Sequence, residues 1–236
     1  MPIEPSGGRS LLAAFAHPDD ESFAIAGTLA RCAAEGVRTA LFVATDGEAG
    51  RVVAGGPPDP ATLARTRRVE LLRAAAVLGI ARVFLPGFRD GALEAERADA
   101  VIGALVAAIR IVRPSVMLTF GPEGAPNAHA DHRAISRLTT AAFFAAGNPT
   151  LHRDAAAHAP PFTPRRLYYC TWEPGELGGR TEGMPVTRRI EVGGYRDVKR
   201  LAFDQHRTQQ QHRAEFERAV VPHESYFLVA EQPDRA

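Results

Sequence analysis

Apolar residues are laid along this chain in two alternating textures. Short, nearly unbroken runs at 11–16, 38–45, 82–85 and 115–120 each lead into a longer stretch whose apolar positions recur every three or four residues. Runs of that length, apolar on both faces, predict strands buried on both sides, and the three-to-four spacing predicts amphipathic helices. The pattern reads as strand 11–16, helix 22–35, strand 38–45, helix 61–78, strand 82–85, helix 95–112, strand 115–120 and helix 130–146. Such alternation predicts an α/β, Rossmann-like architecture, a mostly parallel sheet with helices on both faces and right-handed crossovers. Arg67, Glu70, Leu71 and Ala74 fall on one face of the third helix.

Beyond residue 146 the texture changes. The stretch 147–164 is irregular, with Pro160, Pro161 and Pro164 near its end. Strands are expected at 166–171 and 187–192, and one long helix over most of 194–220, which makes a C-terminal strand and helix extension. The Gly- and Pro-rich stretch 51–60 reads as a loop beside the candidate site. No repeat or low-complexity tract interrupts the chain, and 236 residues with 45% hydrophobic content suit a single domain spanning 1–236.

The chemistry lies where strands end. Directly after the first apolar run come His17, Pro18, Asp19, Asp20 and Glu21. Alone, Asp19, Asp20 and Glu21 would suit a helix cap and first turn, but neither capping nor the helix dipole asks for His17 and Pro18. A second cluster, Asn127-Ala128-His129-Ala130-Asp131-His132, follows the strand at 115–120 and opens the next helix. In an α/β sheet both clusters then sit at the carboxyl ends of strands, where such folds bind ligands. A catalytic zinc takes three protein ligands from imidazole nitrogen and carboxylate oxygen and keeps one position open. His17, Asp20 and His132 supply that set if the two loops meet. Asp19 and His129 remain beside the metal as base and acid, with Asp131 placed to hold the His129 ring and raise its pKa, or simply to cap the helix.

These residues resemble the PIG-L/LmbE family, zinc-dependent N-acetylglucosaminyl deacetylases. The resemblance rests on A-H-P-D-D-E at 16–21 and H-x-D-H at 129–132. It extends through Thr45-Asp46-Gly47-Glu48-Ala49-Gly50, Arg67 with Glu70-Leu71, Arg89-Asp90-Gly91, and a K-x-x-A-x-x-x-H-x-T-Q pattern carrying Lys199, His206 and Gln209. It implies one Zn2+ per chain, with another divalent ion such as Fe2+ also compatible, and an amino-sugar conjugate as the small-molecule substrate. It implies sugar contacts from Glu48, Arg67 and Asp90. Residue by residue, the ordinary readings are a solvated loop carboxylate for Glu48, an Arg67–Glu70 salt bridge, an Asp-Gly turn at Asp90 and core packing for His206 and Gln209. Asn127 departs from the aromatic residue that family members acting on thiol-cofactor precursors often carry at that place.

Composition narrows the partners. Lys plus Arg (28) nearly balances Asp plus Glu (27), so the electrostatic footprint of a nucleic-acid binder is missing. No apolar stretch is long enough to span a bilayer and no signal peptide opens the chain, so the expected compartment is cytoplasmic. Cys32 and Cys170 have no metal-ligand spacing and read as packed thiols. A homo-oligomer is compatible with everything above. The absence of G-x-G-x-x-G and of G-x-S-x-G argues against a dinucleotide site and a serine hydrolase. Two other functions share the motifs: an amidase for a different N-acyl or thiol-conjugate amide, and a non-catalytic carbohydrate- or metal-binding protein. Asp19 and His129 weigh against the second, since holding a metal needs neither.

Overall fold

The computed structural model of the chain describes residues 9–52, 59–124, 127–153, 159–173 and 183–233. Its centre is a seven-stranded sheet in the order β3-β2-β1-β4-β5-β7-β6. Strands β1 (Ser10–Phe15), β2 (Arg38–Val43), β3 (Arg82–Phe84), β4 (Val116–Phe120) and β5 (Arg166–Thr171) are parallel. Every residue of β1 and β4 is buried, as a central strand covered on both faces requires. Leu12 of β1 pairs in register with Ala40 on one side and Met117 on the other. At the carboxyl ends of these two strands Phe15 and Phe120 meet edge to face, ring centroids 4.7 Å apart.

The helices are α1 (Asp20–Ala24), α2 (Ala26–Ala34), α3 (Pro60–Val77), α4 (Ala98–Val112), α5 (Ala130–Ala145), α6 (Arg196–Phe203) and α7 (Arg213–Arg218). Helices α4 and α5 pack on each other and on the central strands, while α1, α2, α3 and α6 form a second group with α2 against β2. The chain runs outward from β1 to β3 and then returns to β4 on the other side of β1. Right-handed crossovers therefore put the two helical groups on opposite faces. The reversal between β1 and β4 opens a crevice above their carboxyl ends, the place where such sheets bind ligands. Among the described residues no helix is long and apolar enough to cross a membrane. Cys32 and Cys170 are buried free thiols.

Three elements differ from the sequence pattern. The helix expected over 22–35 begins earlier, at Asp20, and breaks at Ile25 (φ −142°), so that α2 starts afresh. Its new N-terminus is satisfied from far away, since Gly27 N and Thr28 N donate to the two oxygens of Glu224 at 3.0 and 2.7 Å. The long helix expected over 194–220 is α6 and α7 separated by the 3-10 turn Arg207–His212. The C-terminal strand β7 (His223–Glu231), absent from the sequence reading, inserts antiparallel between β5 and β6 (Arg188–Glu191). Residues 53–58 of the Gly/Pro-rich loop, and 154–158 of the irregular connection with His158, lie outside the described residues.

Candidate metal centre and active site

The loop leaving β1 turns back on itself around one carboxylate. Asp20 Oδ2 accepts from Ala16 N at 3.1 Å and His17 N at 2.9 Å, which leaves Oδ1 facing His132 Nε2 at 3.2 Å. His132 comes from the first turn of α5, its ring stacked on Phe120 (centroids 4.1 Å, 21° between planes). His132 Nε2 lies 3.3 Å from His17 Nδ1, and His17 Nδ1 lies 3.6 Å from Asp20 Oδ2. Donor atoms on a tetrahedral zinc with bonds of about 2.0–2.1 Å are roughly 3.3 Å from one another. The two distances made by His132 Nε2, to His17 Nδ1 and to Asp20 Oδ1, match that spacing, so these residues could hold such an ion. Burial opposes ionisation of Asp20, but the charge and hydrogen bond of His132 and the hydrogen bond of His17 outweigh it and hold Asp20 well below the usual carboxylate range.

The other nitrogen of His17 is spoken for. Nε2 lies 3.1 Å from Asp90 Oδ1 and 3.3 Å from Asp131 Oδ2. These three residues, like His17, His129 and His132, bring ligand atoms within 4.8 Å of one another and form a second cluster able to hold an ion. Both Asp131 oxygens accept from backbone, whereas Asp90 gives backbone one oxygen and keeps Oδ1 toward His17. Asp131 accepts from Gly91 N (2.7 Å) and Leu93 N (3.1 Å), and Asp90 accepts from Ala49 N (2.8 Å). Such a pair fixes a proton on His17 Nε2 and turns Nδ1 toward His132 and Asp20; burial opposes charge on the ring, but the hydrogen bonds of Asp131, Asp20 and Asp90 raise its pKa, so an ion taken up at Nδ1 would displace a proton.

Asp131 thus serves His17, and the expectation that it holds the His129 ring is corrected. What reaches His129 is the backbone: Asp131 N donates to His129 Nδ1 at 3.2 Å, making His129 the N-cap of α5. With Nδ1 accepting, the proton of a neutral His129 sits on Nε2. Burial, and then the charges of His17 and His132, lower the His129 pKa despite the opposing pull of Asp131. That direction favours the neutral ring, an N–H donor, over the cation.

Asp19 occupies an unusual backbone region, φ 115° and ψ −23°, which costs a non-glycine residue about 1–3 kcal/mol. Its Oδ1 is 3.4 Å from Arg67 Nη2. Burial pushes the Asp19 carboxyl up to about 6, against the opposing charge of Arg67. Arg67 itself is 4% exposed and spends its guanidinium on protein carbonyls, Gly47 O at 3.0 Å and Pro18 O at 2.5 Å. A carboxylate of raised pKa, an imidazole N–H donor and groups that could hold a metal ion are the elements of amide hydrolysis.

The sequence profile of PIG-L, GlcNAc-PI de-N-acetylase, matches residues 12–143. A Rhodococcus opacus (strain B4) protein, 1D-myo-inositol 2-acetamido-2-deoxy-alpha-D-glucopyranoside deacetylase, is 35% identical over 85% of this chain and 82% of its own. The chain belongs to the PIG-L family. Two solved structures share the fold. The N,N'-diacetylchitobiose deacetylase of Pyrococcus horikoshii has a TM-score of 0.78 at 19% identity, covering 94% of this chain and 84% of that one. GalB, the 4-carboxy-2-hydroxymuconate hydratase of Pseudomonas putida KT2440, has a TM-score of 0.75 at 18% identity, covering 97% and 99%. A hydratase on the same fold means that architecture alone does not select the reaction.

Within this PIG-L chain the structure brings His17, Asp19, Asp20, His129, Asp131 and His132 together above β1 and β4. Glu48 and Asp90 join them as a clasp between loops: Asp90 N donates to Glu48 Oε1 at 2.8 Å and Ala49 N donates back to Asp90. The Arg67–Glu70 salt bridge does not form, because Glu70 accepts instead from Thr208 N and Oγ1 at 3.0 and 2.6 Å. Two residues that the sequence placed only in a helix's first turn and in the core meet each other beside the site. Glu21 has no exposure and binds Asp19 N through Oε2, and His206, also without exposure, binds Glu21 Oε1 at 2.8 Å. The signal was there in the motif ending at Glu21 and the K-x-x-A-x-x-x-H pattern, but nothing local connects the two.

Proposed function

We propose that this chain hydrolyses the acetamide of an N-acetylglucosamine conjugate, with a divalent ion, zinc in the first instance, held by His17 Nδ1, Asp20 Oδ1 and His132 Nε2. The single observation that carries the reading is the coexistence, in one crevice, of that donor triplet with Asp19 and the His129 N–H, neither of which a simple metal-binding site needs. The Rhodococcus relative, which acts on a GlcNAc–inositol, supports an N-acetylated amino sugar as the substrate class.

The ion would supply Lewis acidity at the acyl carbonyl and make the attacking water acidic enough to lose a proton near neutrality. Asp19, its pKa near that range, takes the proton as water adds to the carbonyl carbon. His129 donates its Nε2–H to the developing oxyanion, a role that suits a neutral imidazole capped at Nδ1. Asp19 then returns the proton to the amide nitrogen as the C–N bond breaks, giving acetate and a free amine. Asp131 and Asp90 keep His17 oriented, and Arg67 secures the Asp19 loop.

The test is acetate release from a panel of N-acetylated amino sugars, GlcNAc linked to inositol among them, by the metal-loaded protein. Turnover of those substrates is expected. Cleavage of a different amide class without any acetate from sugars would replace the substrate assignment, and loss of every hydrolytic activity at full metal loading would remove the enzymatic reading.

A further inference from the structure

The peptide joining Pro18 to Asp19 is pinned at both ends by buried charged side chains. Its carbonyl accepts from Arg67 Nη2, and its N–H donates to Glu21 Oε2 at 3.1 Å. Rotation of this peptide is the motion that would release Asp19 from φ 115° to the ordinary negative range, and it would break both bonds. Neither clamp is self-supporting. The second oxygen of Glu21 accepts from Ser22 Oγ at 2.6 Å and His206 Nε2 at 2.8 Å, the latter arriving from 185 residues further along. Two residues on, Thr208 holds Glu70, one turn along α3 from Arg67. Lys199, at the head of the same segment, donates to Phe23 O of α1 at 2.9 Å and pairs with Glu224. The 199–208 segment therefore grips α1 and α3, the two helices from which the clamps extend.

His206 is not explained by packing. Its Nδ1 is buried with no hydrogen-bond partner among the described residues, a cost that an aliphatic or phenyl side chain would avoid. What the ring gains in return is a directed N–H to one carboxylate oxygen.

We infer that Glu21 and His206 are positioning residues: His206 fixes the Glu21 carboxylate, Glu21 fixes the Asp19 amide, and this relay keeps the strained 18–19 peptide in the orientation that aims Asp19 at the reacting carbon. The inference rests on the proposed role of Asp19 as proton carrier. Neither residue touches substrate.

The experiment compares wild type with His206→Asn, polar but too short to reach Glu21, and His206→Gln, whose longer amide restores a donor. Three quantities are read on the metal-loaded full chain: kcat and KM for an N-acetylated amino sugar, metal per chain, and hydrogen exchange at the Asp19 amide against the amides of β1. In His206→Asn, kcat is expected to fall about tenfold or more with KM and metal content held, as is usual for a misplaced catalytic group. Asp19 protection is expected to fall by a similar factor while β1 protection is retained. His206→Gln should recover most of both. Wild-type protection at Asp19 in His206→Asn overturns the relay, as does exchange that rises equally across β1, which would make His206 a general core residue. If wild type releases no acetate from any amino sugar, the substrate reading fails, and the exchange comparison still decides the relay.

Discussion

Asp131 and His17, 114 positions apart in sequence, are joined at 3.3 Å through the imidazole nitrogen that faces away from the proposed ion. This carboxylate does two jobs at once. It holds the His17 proton on Nε2, and through Gly91 N and Leu93 N it ties down the loop that follows β3. An isosteric Asp131→Asn change should leave the fold intact yet weaken metal binding about 10–100-fold, the usual effect of losing a ligand-orienting partner. Competition against a coloured chelator measures it. His132→Ala should lose the ion outright. Unchanged affinity in both variants would mean that the ion sits elsewhere.

Asp19→Asn should retain about one ion per chain and lose turnover by roughly 10²–10⁴-fold, since an amide cannot carry the proton. His129→Ala removes the oxyanion donor and should lower kcat by about 10²–10³-fold. Metal analysis beside steady-state kinetics separates these from ligand loss. Should Asp19→Asn strip the ion while Asp20→Asn keeps it, the two aspartates exchange roles.

Arg67 offers a clear choice between touching sugar and bracing the site. Its bonds to Gly47 O and Pro18 O make it a brace. Arg67→Ala should therefore lower stability by at least about 2 kcal/mol, the scale of a lost charge-assisted hydrogen bond, and reduce kcat with little change in KM. Arg67→Lys should not repair it, because an ammonium lacks the planar fork that spans two carbonyls. A raised KM with intact kcat would return Arg67 to the substrate.

The Glu21–His206 contact also makes a pH prediction. Burial works against a charged His206, but the charge and hydrogen bond of Glu21, followed by the charge of Asp19, prevail and raise its pKa. A folded-state value above the unfolded one of about 6.5 means that the folded protein holds this proton more tightly. The resulting stabilisation is fully present below about pH 6.5 and is lost as pH rises through the folded value. Urea midpoints of wild type and His206→Gln should accordingly lie farthest apart in mild acid and converge as pH rises. A gap that widens with pH would contradict the charge assignment.

The parts of this protein that could be read from sequence are those with local causes. Strands β1 and β4 announce themselves because both of their faces are buried, and the histidine and aspartate clusters follow them directly in the chain. The proposed donor triplet was legible for that reason. What escaped has its cause elsewhere in the chain. The break at Ile25 is stabilised by Glu224, nearly two hundred positions away. The stretch 204–212 has no Gly or Pro to mark a break and no apolar residue to show a change of face, yet the chain bends there into a 3-10 turn, bringing His206 onto Glu21 and Thr208 onto Glu70. Asp131 had two histidines within reach of argument, and only the folded loops decide that its carboxylate meets His17 while its amide meets His129.

The distance between His17 and His132 also sets an order of events during synthesis. They are 115 positions apart, and the brace on Glu21 comes 185 positions after it. At typical rates of translation, His132 leaves the ribosome on the order of ten seconds after His17. Throughout that interval the first loop carries a histidine and three carboxylates with no second imidazole to complete the pocket. An ion met in that interval would be held loosely and exchangeably, so loading of the proposed pocket waits until His132 has emerged, when cellular metal availability decides which ion is taken up.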